Sequence, residues 1–460
     1  MINEVTHICF LGIGGIGMSA LARYFHQRGA SVFGYDRSAS AITRQLRQEG
    51  IQVSHDDDPA TLPVKPQLVV YTPAVPKTTA LFEHFSRQGI PLRKRAEILG
   101  MISAGIPTIA VAGTHGKTTI TAMLTHILKT AEVPCLAFLG GISVNYNTNF
   151  MGDPDPRWMI AEADEFDRSF LHLSPRLALI SSLDPDHLDV YGSKAEMLES
   201  FREFVSRLPG SGVLISKKNI ADFGKVSCSH YTYHGAEKAD YYLEDIRIEE
   251  GRYHAGISGK LGIGHVALQH PGRHNLENAL AAATLAHQAG ISSAAILQGL
   301  VSFSGVKRRF EICLQTEQLV YVDDYAHHPE EIRACIRSAR ELWPGKKITG
   351  VFQPHLFSRT KDLAEEFAQS LAELDELVLL DIYPAREEPV PGIDAHFLLD
   401  LTDMERAEYC RRENLLSCLE KRDIEVLITM GAGDIDRFPG PITETLKNKA
   451  LDRQTLKGKK

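Results

Sequence analysis

The residues best suited to chemistry form the run Gly113-Thr114-His115-Gly116-Lys117-Thr118-Thr119, which follows an apolar stretch and opens a helical pattern. In that setting backbone N–H groups and a helix N-terminus converge on phosphate oxygens. Lys117 is placed to neutralise outer phosphates. Thr118 can offer its hydroxyl to Mg2+, an ion that keeps several waters and binds few protein oxygens. The strict pattern G-x-x-x-x-G-K-S/T is not met, because Val111 stands at the first glycine position. An ordinary βα turn is therefore the alternative, but the context favours a triphosphate cradle and an ATP-using enzyme.

A second glycine-rich turn, Gly12-Ile13-Gly14-Gly15-Ile16-Gly17, also joins a strand pattern to a helical one, and Asp36 ends the next strand. An acidic residue about 20 positions beyond the glycines is what a dinucleotide fingerprint requires. NAD is one reading. The same geometry serves any pyrophosphate, including that of a UDP-sugar, and close helix–strand packing also asks for glycine. Acidic and imidazole groups gather where further strands end: Glu162-Ala163-Asp164-Glu165-Phe166-Asp167 after Ala161, and Asp184-Pro185-Asp186-His187 after Ser182. The C-terminal ends of parallel strands face the ligand crevice, so these are candidate metal ligands, with solvated acidic loops as the alternative.

Three more constellations stand out: His274-Asn275 with Asn278, the pair Arg308-Arg309, and Asp323-Asp324-Tyr325-Ala326-His327-His328-Pro329-Glu330. Adjacent histidines in a polar turn can bind zinc, exchange protons or cap the next helix. No cysteine accompanies them, which argues against structural zinc. The stretch Gln353-Pro354-His355-Leu356-Phe357-Ser358-Arg359-Thr360 follows a strand and puts a guanidinium where it can fork onto a carboxylate.

These groups must be positioned by several domains, since 460 residues exceed one compact core and roughly 100 to 200 residues per domain gives two to four. Strand patterns at His7 to Leu11, Ser31 to Tyr35 and Leu68 to Thr72 alternate with helical ones until Gly105-Ile106-Pro107, which suggests a first boundary near Gly105. A second α/β block follows, with strands at Thr108 to Ala112, Trp158 to Ala161 and Leu177 to Ser181. Its glycine-punctuated stretch from Tyr241 to Leu268 reads as an antiparallel excursion. A third block has strands at Leu319 to Val322, Ile348 to Phe352, Leu377 to Leu380 and Val426 to Thr429. The lysine-rich tail from Lys447 to Lys460 reads as frayed. The predicted class is thus α/β in three domains: 1–105, 106–310 and 311–460.

A charged fraction of 23% and a formal charge of −8 fit an ordinary globular protein and argue against a general binder of nucleic acid. The seven cysteines are scattered and never spaced C-x-x-C, as expected of reduced thiols. No run approaches ~18 apolar residues, so membrane insertion is not expected and a cytoplasmic location is.

Taken together, and in this order along nearly the whole chain, the motifs resemble the Mur ligases of peptidoglycan synthesis. The resemblance implies an N-terminal Rossmann-like domain for a UDP-sugar, a central ATPase domain and a C-terminal Rossmann-like domain that closes over the site. It implies UDP-sugar contacts from Gly12, Gly14, Gly15, Gly17, Met18, Asp36 and Thr72. ATP would be held by Gly113 to Thr119, with Lys117 on the β and γ phosphates. Thr118, Glu162 and His187 would hold Mg2+, with Mn2+ as the substitute. His274, Asn275 and Asn278 would lie near the adenine, Arg309 and Asp323 would reach the nucleotide, and Tyr325, His327, His328, His355 and Arg359 would line an amino-acid site.

The reaction so implied is ATP-dependent joining of L-alanine to the lactyl carboxylate of UDP-N-acetylmuramate through an acyl phosphate, by a monomer or homodimer, with His327 or His328 as the base. A recycling ligase that adds a preformed tripeptide to the same nucleotide sugar is the nearest alternative. A dehydrogenase built on Gly12 and Asp36, and an ATP-driven switch protein, are alternatives from other classes. Two positions depart from the family pattern: Leu356 stands where relatives commonly carry arginine, and Arg202 where some sister ligases use a carbamylated lysine.

Overall fold

The computed structural model describes residues 4–184, 191, 193–385 and 387–457. His187 lies outside them. Three sheets organise the chain. The first contains β1 (His7–Leu11), β2 (Ser31–Tyr35), β3 (Gln52–Ser54), β4 (Leu68–Tyr71) and β5 (Leu92–Lys94) in the order β3-β2-β1-β4-β5. All its pairs are parallel. Parallel strands need crossover connections, and the helices Ile16–Gln27, Ala41–Gln48 and Ala80–Arg87 supply them.

The central sheet contains β6 (Thr108–Ala112), β7 (Cys135–Ser143), β8 (Thr148–Gly152), β9 (Trp158–Glu162), β10 (Pro175–Ile180), β11 (Val213–Lys217), β12 (Ser229–His234), β13 (Tyr241–Glu249), β14 (Arg252–Gly259) and β15 (Ile263–Leu268). Their order is β15-β14-β13-β12-β11-β10-β6-β9-β7-β8. From β7 through β9, β6, β10 and β11 to β12 the pairing is parallel. β13 joins β12 in parallel, β14 and β15 follow it to the edge of the sheet, and β7 pairs β8 antiparallel at the other edge, so the sheet is mostly parallel with an antiparallel excursion.

The helix Lys117–Thr130 is buried on nearly every side, and three of its threonines stand at positions 118, 121 and 125 facing protein rather than water. Thr121 and Thr125 donate to the carbonyls of Lys117 and Thr121, both at 2.7 Å, which satisfies their hydroxyls inside the helix. The neighbouring helix Ser293–Ser302 approaches at Gly299, where a Cβ would stand 2.8 Å from Ile127 Cα. The helix that follows the Gly113 loop is therefore packed along most of its surface.

The third sheet contains β16 (Glu311–Gln315), β17 (Val320–Asp324), β18 (Ile348–Phe352), β19 (Glu376–Leu379), β20 (Ala407–Tyr409) and β21 (Val426–Met430), ordered β16-β17-β21-β18-β19-β20. Only β16 runs antiparallel, as an edge strand. The predicted frayed tail is corrected here: the helix Pro439–Lys457 carries the chain through most of it. Ile442, Leu446 and Ala450 recur every four residues on its buried side, and that apolar seam anchors it.

By compactness the chain forms two units, one of residues 1–246, 254–268 and 276–306, the other of residues 247–253, 269–275 and 307–460. The first unit holds the N-terminal sheet and most of the central one around a common apolar cluster. That cluster runs from Ile8, Phe10 and Phe25 through Phe138 and Phe150 to Met159, Phe201 and Phe204. A polar link reinforces it. Arg23 Nε donates to Glu49 at 2.7 Å and Arg23 Nη1 to the fully buried Asn149, whose amide in turn donates to Ile16 O and Ser19 Oγ.

Candidate active site

The loop after β6 has the form of an anion cradle. Gly113 has φ 121° and Gly116 φ 83°, a left-handed region that side chains avoid. Space also excludes side chains there: a Cβ would fall 2.3 Å from Ser181 Oγ at Gly113 and 2.5 Å from Asn278 Oδ1 at Gly116. The residues following β10 brace the loop. Ser182 Oγ accepts from His115 N at 2.7 Å, Thr114 N donates to Ser182 O at 3.2 Å, and Asp184 N donates to Thr114 Oγ1 at 3.1 Å. Gly116 is the N-cap of the helix and offers no side chain to its first amides, so they face the loop.

Lys117 reaches back over this loop. Its Nζ donates to Gly113 O at 2.7 Å and to both carboxylate oxygens of Glu165 at 2.8 and 2.9 Å. Burial opposes the ammonium charge, but Glu165 and then Asp164 outweigh it and hold the Lys117 pKa above its ordinary value. Thr118 and Glu162 both border the glycine pair of β7. Gly140 N donates to Glu162 Oε1 at 2.8 Å, and a Cβ on Gly141 would stand 2.9 Å from Thr118 Cγ2. A side chain at Gly140 would occupy the carboxylate's own place, 2.3 Å from both its oxygens. The donors gathered here are a carboxylate and a hydroxyl, the hard oxygen set that Mg2+ accepts. Among the described residues no three His, Cys, Asp or Glu side chains form a metal cage.

The turn after β1 is a second cradle. Gly12 has φ 87°, and its amide and that of Ile13 donate to Tyr35 O at 2.8 and 3.0 Å. Asp36 Oδ2 accepts from Gly14 N at 2.9 Å and Oδ1 from Ser38 N at 3.0 Å, so this carboxylate shapes the turn. Thr72 closes the other side, with its Cγ2 2.6 Å from where a Gly12 Cβ would be. Gly15 is the N-cap of the helix Ile16–Gln27 and Met18 points into the core, 2% exposed. Between the two cradles stands Arg95, a residue that local sequence patterns leave unremarked. A Cβ on Gly17 would come 3.0 Å from its guanidinium, and Arg95 Nη2 lies 3.9 Å from Asp164.

In the other unit the predicted histidines gather with aromatic rings where β17 and β18 end. Tyr325 meets His327 edge-on at 5.0 Å, His327 meets His355 at 6.1 Å, and His355 stacks on Tyr383 at 5.8 Å between ring centroids. His327 Nδ1 is 2.9 Å from Tyr325 O. A carbonyl only accepts, so Nδ1 carries the proton and Nε2 keeps its lone pair. Burial pushes the His327 pKa below its ordinary value; Glu331 acts to raise it and Arg359 to lower it. His328 serves differently. It is the N-cap of the helix Pro329–Leu342, where its Nδ1 accepts from Glu330 N at 3.4 Å.

Of the basic pair, Arg308 rather than Arg309 engages Asp323, at 3.0 Å, and also donates to Gly431 O. Arg309 lies over the Tyr325 ring, 4.9 Å from its centroid. Burial lifts Asp323 to about 6 against the pull of Arg308. Asn275 Nδ2 donates to Pro271 O, and both His274 and Asn275 crowd Gly272, which has φ 109°. Asn278 belongs to the first unit, beside Gly116.

The sequence offers Glu165 with its acidic neighbours as a candidate metal ligand, and nothing local singles it out as the partner of Lys117. The turn Gly431-Ala432-Gly433-Asp434 after β21 went unread, although two glycines after a buried strand were the available signal. Gln353 Nε2 donates to Asp434 at 2.8 Å, its Oε1 accepts from Ile435 N at 2.9 Å, and a Cβ on Gly433 would collide with Gln353 and Tyr383.

Comparison with known proteins agrees along the length of the chain. Three family models match in order: "Mur ligase family, catalytic domain" at residues 7–106, "Mur ligase middle domain" at 111–286 and "Mur ligase, glutamate ligase domain" at 308–433. The UDP-N-acetylmuramate–L-alanine ligase of Parabacteroides distasonis is 44% identical over 453 residues, covering 97% of this chain and 98% of its own. That of Porphyromonas gingivalis is 45% identical over 460 residues, covering 96% and 99%. Among solved structures, the UDP-N-acetylmuramate-alanine ligase of Thermotoga maritima superposes with a TM-score of 0.83 at 28% identity, covering 97% of this chain and all of that one. A murein peptide ligase from Psychrobacter arcticus shares the fold, with a TM-score of 0.71 at 24% identity and coverage of 96% and 99%. The chain belongs to the Mur ligase family.

Proposed function

We propose that this Mur ligase joins L-alanine to the lactyl carboxylate of UDP-N-acetylmuramate, consuming ATP and releasing ADP and phosphate. The observation that carries this reading is full-length identity of 44 to 45% to ligases of that name, supported by the left-handed, crowded glycines of the Gly113 loop, which suit a phosphate cradle. A carboxylate does not acylate an amine unaided. Its oxygen attacks the γ-phosphorus, the bond from that phosphorus to the β,γ-bridging oxygen breaks, and ADP leaves with the electron pair. The alanine nitrogen then attacks the carbonyl carbon of the acyl phosphate, and inorganic phosphate departs as the amide forms. Catalysis of this kind rests on positioning and charge stabilisation.

Residues 1–105 would bind the nucleotide sugar, with its pyrophosphate at Gly12, Gly14, Gly15 and Gly17. Residues 106–310 would bind ATP on Gly113 to Thr119, with Lys117 on the β and γ phosphates. Thr118 and Glu162 would hold Mg2+, which when bound offsets charge on the transferring phosphoryl group. Residues 311–460 would bind alanine, its carboxylate on Arg359 and its ammonium beside His327, whose Nε2 takes the proton. His327 suits that task because its lowered pKa keeps it neutral near pH 7. The seven free cysteines accord with a reducing cytoplasm.

The test is formation of UDP-N-acetylmuramoyl-L-alanine by mass spectrometry, one amide for each ADP. Amide formation with the tripeptide in place of L-alanine would transfer the chain to the recycling branch of the family.

A further inference from the structure

The reading of Lys117 as the residue that holds the β and γ phosphates leaves its present partner unexplained. Both oxygens of Glu165 accept from Lys117 Nζ, and the carboxylate is 1% exposed while the lysine side chain is 15% exposed. The pair is fixed from behind as well, because the Tyr191 hydroxyl donates to the Glu165 backbone carbonyl. A lysine so engaged cannot give its charge to a phosphate without leaving the carboxylate. A buried carboxylate that loses its cation is costly.

We infer that Glu165 is an internal stand-in for the nucleotide's phosphates: it holds Lys117 over the loop and competes with ATP for it. Glu165 is thus a positioning residue. It keeps a buried ammonium compensated and aimed along Gly113 O before substrate arrives, and the exchange sets the affinity for nucleotide lower than the loop alone would give. This rests on the ATP role of Lys117, so the test separates the two ideas.

Binding of ADP and of adenylyl imidodiphosphate, with Mg2+, is measured by calorimetry on the full chain and on Glu165→Gln, Lys117→Met and the double variant. Lys117→Met weakening both ligands supports the ATP reading; no weakening overturns that reading, and with it the inference. Given the weakening, Glu165→Gln is expected to bind both ligands about tenfold more tightly, with no such gain in the Lys117→Met background. A gain of equal size in both backgrounds would mean plain charge repulsion between Glu165 and phosphate, and would overturn the stand-in role. Unchanged or weaker binding by Glu165→Gln overturns it too. Amine labelling of Lys117, read by mass spectrometry, is expected to accelerate in Glu165→Gln, and an unchanged rate counts against release of the lysine. Should Glu165→Gln fail to fold, Glu165→Asp withdraws the oxygens by one methylene and is expected to give a smaller gain in the same direction.

Discussion

In the proposed mechanism Lys117 stabilises the transferring phosphoryl group and His327 takes the ammonium proton, and a substitution tests each role. Lys117→Ala is expected to abolish turnover while UDP-N-acetylmuramate still binds, because the Gly12 cradle is built from other residues. Titration calorimetry with the nucleotide sugar checks this, and an equal loss of sugar affinity contradicts it. For His327, burial lowers the pKa and Glu331 acts to raise it, so the acidic limb of the rate profile belongs below the ordinary histidine value of about 6.5. Glu331→Gln removes the raising influence and is expected to move that limb to lower pH; a move upward would show that another group is the base. Which histidine could serve was not legible in the sequence. Two adjacent imidazoles look alike until one is seen capping a helix and the other bonded to Tyr325 O. Arg308 and Arg309 pose the same problem, since only the backbone turn decides which one reaches Asp323. That turn is left-handed at Arg308 and Phe310, with φ 62° and 49°.

At the scale of elements, the strand–loop–helix units were legible because their signal is local. A buried strand, glycines and an amphipathic or apolar helix follow one another within a few residues, and the bounds of β1, β2, β6 and β18 fall where apolar patterning puts them. What couples one element to another was not legible. The bracing of the Gly113 loop by Ser181 and Ser182 spans nearly seventy positions, with a separation of 67 from His115 to Ser182. Gly116→Ala tests that geometry. It forces a side chain into left-handed backbone and against Asn278, with strain on the order of 1 to 3 kcal/mol. Nucleotide affinity is expected to fall several-fold with little change in sugar binding, as read by calorimetry. Unaltered ADP affinity would mean the loop does not hold phosphate.

At the scale of the whole molecule, the three-domain α/β fold expected from the sequence is present, and compactness groups the chain into two units. The reason is the shared apolar cluster and the Arg23–Glu49–Asn149 link, whose members lie far apart in sequence and carry no motif. Differential scanning calorimetry is expected to show the first unit melting in one transition. Asn149→Ala leaves donors of Arg23 and the Ile16 carbonyl without this partner, at about 1 to 3 kcal/mol for each buried group orphaned. It should lower that transition alone, and separate melting of the N-terminal sheet in the unaltered protein would contradict the account. ADP release with UDP-N-acetylmuramate, measured across the amino acids and the tripeptide, tests the proposed reaction. One ADP and one new amide per turnover are expected with L-alanine and none with the tripeptide. ADP release without amide formation, or amide formation with the tripeptide but not with L-alanine, would contradict it.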